Sequence, residues 1–153
     1  MSSKNEQPIA APRVCVSPHL TLAEVACRNG VAYPRAWIET RLLPLADEFE
    51  AIRRECGRRP IRVLSAYRTA EYNASVGGSR YSQHIEGRAL DLAPPAGVGL
   101  PEFWQIANRV SRERRVIRGL GLYPWGVHID TRPGPRLVKW SGTRALAELV
   151  EVA

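Results

Sequence analysis

The chain has 153 residues, 44% of them hydrophobic and 24% charged, with a formal net charge of +7. That size and balance point to one domain with its own core, and they exclude a disulfide-stapled mini-protein, a fibrous repeat and a wholly disordered chain. The positive charge favours anionic partners without choosing among nucleic acid, an anionic cell wall and a membrane surface.

Residues 1–16 read as an extended or disordered tail, and 17–153 as a single domain. The opening MSSKNEQPIAAPRV has no apolar stretch of signal-peptide length, and no later segment is long enough to span a bilayer. The expectation is a protein made in the cytoplasm. The tail ends near TLAE, Thr21 to Glu24, whose spacing lets Thr21 and Glu24 cap each other, so a helix is expected over 22–29 with Gly30 as its stop. From Arg35 to Cys56, Trp37, Ile38, Leu42, Leu45, Phe49 and Ile52 recur at helical spacing. Pro44 lacks an amide proton, so it either kinks this helix or starts a second one.

IRVLSAYR alternates like a strand over 61–67. TAEYNASVGG then reads as a short helix closed by Gly77 and Gly78. RALDLA, 88–93, is a second strand and PPAGVG a loop, after which Pro101 opens a helix carrying Phe103, Trp104, Ile106, Ala107 and Val110. VIRGLGLY and GVHIDT are further strands joined by a tight turn at 124–126. Helices come early and strands late, without strict alternation. The fold class is therefore α+β, a small antiparallel or mixed sheet with helices packed on one face.

Cys15, Cys27 and Cys56 are odd in number and lack CxxC spacing, which predicts reduced, mostly buried thiols. The arginine runs RRECGRR and SRERRVIR fall at expected helix ends, where cations complement the helix dipole. They read as solvated helix ends or as a binding patch.

His19, His84 and His128 are the only histidines, and two have aspartates close in sequence. In GVHID, His128 and Asp130 share one strand face. In HIEGRALDL, Gly87 can turn the chain between His84 and the strand that carries Asp91, so those two side chains can converge. Two imidazoles and one carboxylate are a common catalytic zinc set, because three protein ligands leave a tetrahedral position for water, whose pKa then falls toward about 7. Each histidine also has an ordinary reading as a surface or hydrogen-bonded core residue.

Two blocks carry a likeness to a known family. SAYRTAEYNASVGGSRYSQHIEGRALDL, Ser65 to Leu92, contains Ser-x-His-x-x-Gly-x-Ala-x-Asp as Ser82, His84, Gly87, Ala89 and Asp91, and GLGLYPWGVHIDTRPG follows as a second block. The chain resembles the zinc D-alanyl-D-alanine carboxypeptidases and related peptidoglycan peptidases of hedgehog-like fold, in particular the small branch found in phage lysins and tail proteins. LTLAEVACRNG resembles the segment that precedes the core in these proteins. The likeness runs from about Leu20 to Trp140.

This resemblance implies zinc as cofactor, with ligands at His84, Asp91 and His128. It also implies that Arg68 binds the carboxylate of a peptide substrate, whose planar geometry a guanidinium fork matches; the alternative is an ordinary pair with a surface acid. Ser82 either bonds within the site or caps its loop. The chain departs from the better-studied members at Trp125, which stands three residues before His128, where they place an acidic general base. Asp130 then reads as that base, as a partner that steadies the site, or as the third ligand in place of His128; Glu86 is a further candidate base. Tyr67, Tyr81, Tyr123, Trp125 and Trp140 cluster around these blocks as core, with Tyr81 or Trp125 also able to line a groove for the peptide or glycan.

The implied activity is zinc-dependent hydrolysis of a peptide bond in the peptidoglycan stem or cross-link, by a D-Ala-D-Ala carboxypeptidase or an endolysin-type endopeptidase. The competing reading is an inactive wall-binding or phage tail protein that keeps the fold. Bacterial peptidoglycan is the expected partner, reached after release from the cell or from within a virion, with a monomer favoured. Nucleic acid is not expected, since no recognition motif accompanies the charge.

Overall fold

The computed structural model describes residues 13–152. Two short strands come first, β1 (Cys15–Ser17) and β2 (Leu20–Thr21), paired antiparallel. Cys15 and Val16, at the end of the expected tail, lie in β1, and residues 1–12 of that tail lie outside the described residues. Helix α1 (Leu22–Val25) starts with the anticipated cap: Thr21 Oγ1 accepts the Glu24 amide at 3.2 Å, and Glu24 Oε2 accepts the Thr21 amide at 2.8 Å. It stops four residues short of the expected end because Val25 gives its carbonyl to the Tyr67 amide, and Cys27 bonds across to Val31 over a positive-φ Gly30.

The long helical run is continuous but changes pitch. A 3₁₀ turn (Arg35–Trp37) leads into a π turn (Ile38–Leu42), and α2 (Leu43–Glu55) follows with Pro44 in its first turn. Proline has no amide to give, and its neighbour Leu43 reaches back five residues to the Ile38 carbonyl, so the chain widens before regular α-helix resumes. Of the two sequence readings, the start of a new helix is the nearer.

The main sheet holds β3 (Val63–Ser65), β4 (Ala89–Leu92), β5 (Gly119–Tyr123), β6 (Gly126–Asp130) and β7 (Val138–Ser141) in the order β3-β4-β6-β5-β7. Every pairing is antiparallel except β5 with β7, so the sheet is mixed. Helix α3 (Ala70–Ser75) leaves β3, and α4 (Leu100–Arg114) joins β4 to β5. Helix α4 lies against β5 and β6, and α2 lies against α4.

Side-chain alternation divides the central strands. Leu90, Ile129 and Leu120 form one cross-strand row, and Leu92, Val127 and Leu122 the next; all are fully buried in the core with Phe49, Ile52, Phe103 and Trp104. The intervening rows put Asp91, His128, Gly121 and Trp140 in register, then Ala89, Asp130, Gly119 and Val138. One face of the sheet thus makes the core, and the other is left for polar side chains.

Past β7 a 3₁₀ turn (Arg144–Leu146) and helix α5 (Ala147–Glu151) fold back, and Leu149 gives its carbonyl to the Trp104 indole at 3.0 Å. Cys27 and Cys56 are buried free thiols, as expected, whereas Cys15 is exposed. Among the described residues, no helix is long and apolar enough to cross a membrane.

Candidate metal centre

The polar face of the sheet carries a tight cluster. Each of His84, Asp91 and His128 offers one atom, and the three atoms lie within 4.8 Å of one another, all in buried residues. Asp91 and His128 meet because β4 and β6 pair them directly across the ladder. His84 arrives from outside the sheet, on the turn before β4. Gly87 makes that turn possible with a φ of +65°, and a Cβ there would fall 2.7 Å from the Tyr33 hydroxyl and 2.9 Å from the Trp37 ring. The Tyr33 hydroxyl donates to the Gly87 carbonyl at 2.6 Å, pinning the turn to the helical layer.

The end of β3 holds His84 at two points. The His84 carbonyl accepts the Arg68 amide at 3.0 Å, and its ring Nδ1 lies 2.6 Å from the Ala66 carbonyl. A carbonyl can only accept, so Nδ1 carries the proton and Nε2 turns its lone pair inward. Burial holds the imidazole below the usual histidine range, against the pull of Asp91, and so favours its neutral form. Neutral Nε2 therefore faces Asp91 Oδ1 at 3.1 Å, acceptor against acceptor. A divalent cation between them relieves that contact.

His128 has the reciprocal arrangement. Its Nε2 lies 2.8 Å from Asp130 Oδ2 and its Nδ1 lies 2.9 Å from Asp91 Oδ1. When Nε2–H donates to Asp130, the Nδ1 lone pair points into the cluster, beside that of His84. Burial alone would depress this imidazole, but the hydrogen bonds to Asp130 and Asp91 outweigh it and raise its pKa. Asp91 is driven the other way: burial pushes its carboxyl up, and the two histidines hold it well below the usual carboxylate range. An ionised carboxylate, the His84 lone pair and, once its Nδ1 proton leaves, that of His128 converge on one point, a donor set suited to zinc. The three residues expected as ligands are brought together.

The other expected site residues are placed differently from one another. Asp130 is fully buried behind His128, on the side of the ring away from Asp91. Its Oδ1 accepts from Arg132 Nε at 2.8 Å and from the Arg132 amide at 3.1 Å, and its Oδ2 from Arg132 Nη2 at 2.6 Å, besides the His128 bond. Burial raises the Asp130 carboxyl, but Arg132 and His128 more than reverse this and keep it ionised. Arg68 sits at the edge of the cluster, where Nη2 reaches Asp91 Oδ2 at 3.2 Å, Nε donates to Ser65 Oγ at 2.9 Å and Nη1 to Asn73 Oδ1 at 3.3 Å. Ser82 Oγ accepts the His84 amide at 3.2 Å and so caps the ligand loop. Glu86 turns to Arg41 at 3.2 Å.

Trp125 occupies the β5–β6 turn and stacks on Tyr123 at 4.7 Å, and Tyr123 accepts the Trp140 indole N–H at 2.9 Å. Trp140 in turn tilts against His128 at 5.3 Å. These rings make an aromatic wall on one side of the cluster. Tyr81 lies on the ligand loop with 77% of its surface exposed.

Four contributors were not anticipated. Arg132, two residues past Asp130, clamps that carboxylate; the Ala66 carbonyl selects the His84 tautomer; and Gly119 and Gly121 leave room on the face. A Cβ at Gly119 would lie 2.2 Å from Asp130 Oδ2, and one at Gly121 2.6 Å from the Trp140 ring. Arg132 had a readable signal, since on extended backbone it shares a face with Asp130 and His128. The Ala66 carbonyl had none, because backbone geometry carries no mark in the residue name.

A family model described as Peptidase M15 matches residues 18–130, a span that includes the turn carrying His84 and both strands carrying Asp91 and His128. No curated protein matches the chain. The likeness seen in the two sequence blocks and the cluster those blocks build lead to one assignment: this chain belongs to the Peptidase M15 family.

Proposed function

We propose that this protein is a zinc-dependent peptidase that hydrolyses a peptide bond in the stem or cross-link of bacterial peptidoglycan, as a D-Ala-D-Ala carboxypeptidase or an endolysin-type endopeptidase. One observation carries the reading: two imidazoles, that of His84 held in one tautomer by the Ala66 carbonyl, and an ionised carboxylate converge at a single buried point. Zinc held by His84, Asp91 and His128 supplies Lewis acidity and an acidified water at neutral pH.

The chain's own residues do the rest. Asp130 acts as the positioning residue that fixes the His128 ring, a role supported by its four hydrogen bonds, all to His128 and Arg132. Arg68 keeps Asp91 oriented. A guanidinium has five N–H donors, and its contacts to Ser65, Asn73 and Asp91 leave one on each terminal nitrogen for a substrate carboxylate. The Tyr123, Trp125 and Trp140 wall borders the bound peptide and excludes water. Net positive charge draws the protein to an anionic wall, which it reaches after release from the cell or as part of a virion.

A second reading is a wall-binding protein without turnover. Its support is the tied carboxylate of Asp130, with Trp125 where an acid stands in the better-studied relatives. Zinc-loaded protein incubated with isolated peptidoglycan separates the two. Release of new amino groups, located by mass spectrometry of the products and lost in His84→Ala, is the expected result. A folded, zinc-loaded wild type that binds walls of several chemotypes and releases nothing favours the second reading.

A further inference from the structure

Beside the metal centre, the ligand loop and the segment after β6 enclose a groove of about 390 Å³ lined by Arg80, Tyr81, Gln83, Glu86, Arg88 and Pro133, with Ser82 at its edge. Its charge is unbalanced. Glu86, the one acid in this lining, is already paired with Arg41. Arg80 has only the face of Tyr81, 5.1 Å from the ring centre, and Arg88 has no carboxylate partner among the described residues. Two guanidinium groups therefore face the groove without a counter-charge.

A second observation narrows the chemistry. The groove opens beside the loop that carries His84, and Tyr81 sets an exposed aromatic face next to the two guanidinium groups. The groove thus asks for an anion attached to atoms that an aromatic ring can cover. A simple phosphate offers none. A peptide with a free carboxylate offers both.

We infer that this groove is a subsite for a carboxylate-bearing residue of the peptide substrate, with Arg80 and Arg88 receiving the carboxylate. The inference rests on the peptidase reading and extends it: the protein selects acidic peptide stems over amidated ones. The position agrees with this, since Gln83 and Arg88 flank the segment from His84 to Gly87, and Pro133 follows directly on the Arg132 that clamps Asp130. A stem seated here runs from the groove toward the cluster.

The test uses two synthetic stem pentapeptides identical except at the second residue, which carries either a free glutamate α-carboxylate or the corresponding carboxamide. Calorimetry on the zinc-loaded protein gives both dissociation constants, and hydrolysis is followed separately. The acidic peptide binds about tenfold more tightly, the scale of one charge-assisted bond to a carboxylate. The ratio falls toward one in Arg88→Gln and in Arg80→Gln. Arg80 is exposed, so its replacement keeps the result readable even if Arg88→Gln melts early. Equal affinities for the two peptides, or a ratio that survives both substitutions, overturn the subsite. If neither peptide is cleaved while the affinity ratio and its loss in the variants hold, the subsite stands and the peptidase reading falls.

Discussion

The two faces of the strands β4, β6 and β5 are built from alternate residues of the same three segments, yet they obey opposite rules. On the helix side, Leu90, Ile129 and Leu120 lie in one row beneath α4, and shape is the only requirement. On the other side, Asp91 and His128 lie one row away, and they are tied by hydrogen bonds to each other, to Arg68 and to Asp130. The first face accepts rearrangement so long as volume is kept, whereas the second fails when one bond is lost. Because successive side chains of a strand point to opposite sides, a slip of one residue in the β4–β6 register would exchange the two sets and ruin both. The site is therefore fixed by the same ladder that fixes the core.

The strongest way to break that comparison is to damage each face alone. Leu120→Ala opens a cavity under α4 and lowers stability by about 2–5 kcal/mol, while the molecules that remain folded bind zinc with unchanged stoichiometry. Asp91→Ala does the reverse: tight zinc binding disappears, and the loss of stability measured without metal is the smaller of the two. Denaturant melts paired with metal analysis read both. If the leucine variant folds and yet binds no zinc, the faces are not separable and the comparison is wrong.

A finer cut leaves the cluster whole and alters what steadies it. Asp130→Asn keeps the volume behind His128 but weakens the clamp from Arg132 and the tautomer bias on the ring. Zinc affinity should fall by about 10–100-fold with the fold intact, as read by competition with a chelator. An unchanged affinity shows that Asp130 does not position His128 through their hydrogen bond.

How far the two faces could be read from the residues differs in an instructive way. The core face was legible because alternation in RALDLA, GLGLY and GVHID marks it directly. On the site face, HIEGRALDL places His84 and Asp91 within reach through a local turn, so that half was legible too. The pairing of Asp91 with His128 is a register between strands far apart in sequence, and only the family likeness supplied it. The strand expected over 61–67 ends at Ser65 because Ala66 gives its carbonyl to His84 and Tyr67 gives its amide to Val25; the site removes these groups from the ladder. β7 went unseen because VKWS is four residues long and owes its place to a parallel pairing with β5. Asp130 could not be assigned one role from spacing, since its environment depends on Arg132 folding back over it.

Glycine tests whether the site face needs its empty space. Gly121→Ala puts a methyl 2.6 Å from the Trp140 ring, which is held by Tyr123 and leans on His128. The tryptophan must move. The expected cost is about 1–3 kcal/mol, with a shift in tryptophan fluorescence and weaker zinc binding. The opposite face gives the control, since Leu122→Met should cost under about 1.5 kcal/mol and leave zinc binding unaltered.

The smallest effect comes from a fully buried charge that breaks the rule of the apolar side. Glu48 lies fully buried on α2, accepts from Arg114 Nε at 2.8 Å through Oε1, and leaves Oε2 without a partner. Burial raises its carboxyl pKa, only partly offset by Arg114. A carboxyl whose folded pKa is raised binds its proton more tightly in the native state, so its ionised form works against folding at neutral pH. That penalty fades as pH falls through the folded value toward the unfolded one. Glu48→Gln keeps an acceptor for Arg114 and removes the charge, so it should gain on the order of 1 kcal/mol at pH 7. The gain should shrink on acidification toward about pH 4, where the native carboxyl is already protonated. A Glu48→Gln protein that is less stable than wild type at pH 7 would mean the Arg114 pair outweighs the burial of Glu48, and that the helix layer, like the site face, depends on a buried charge.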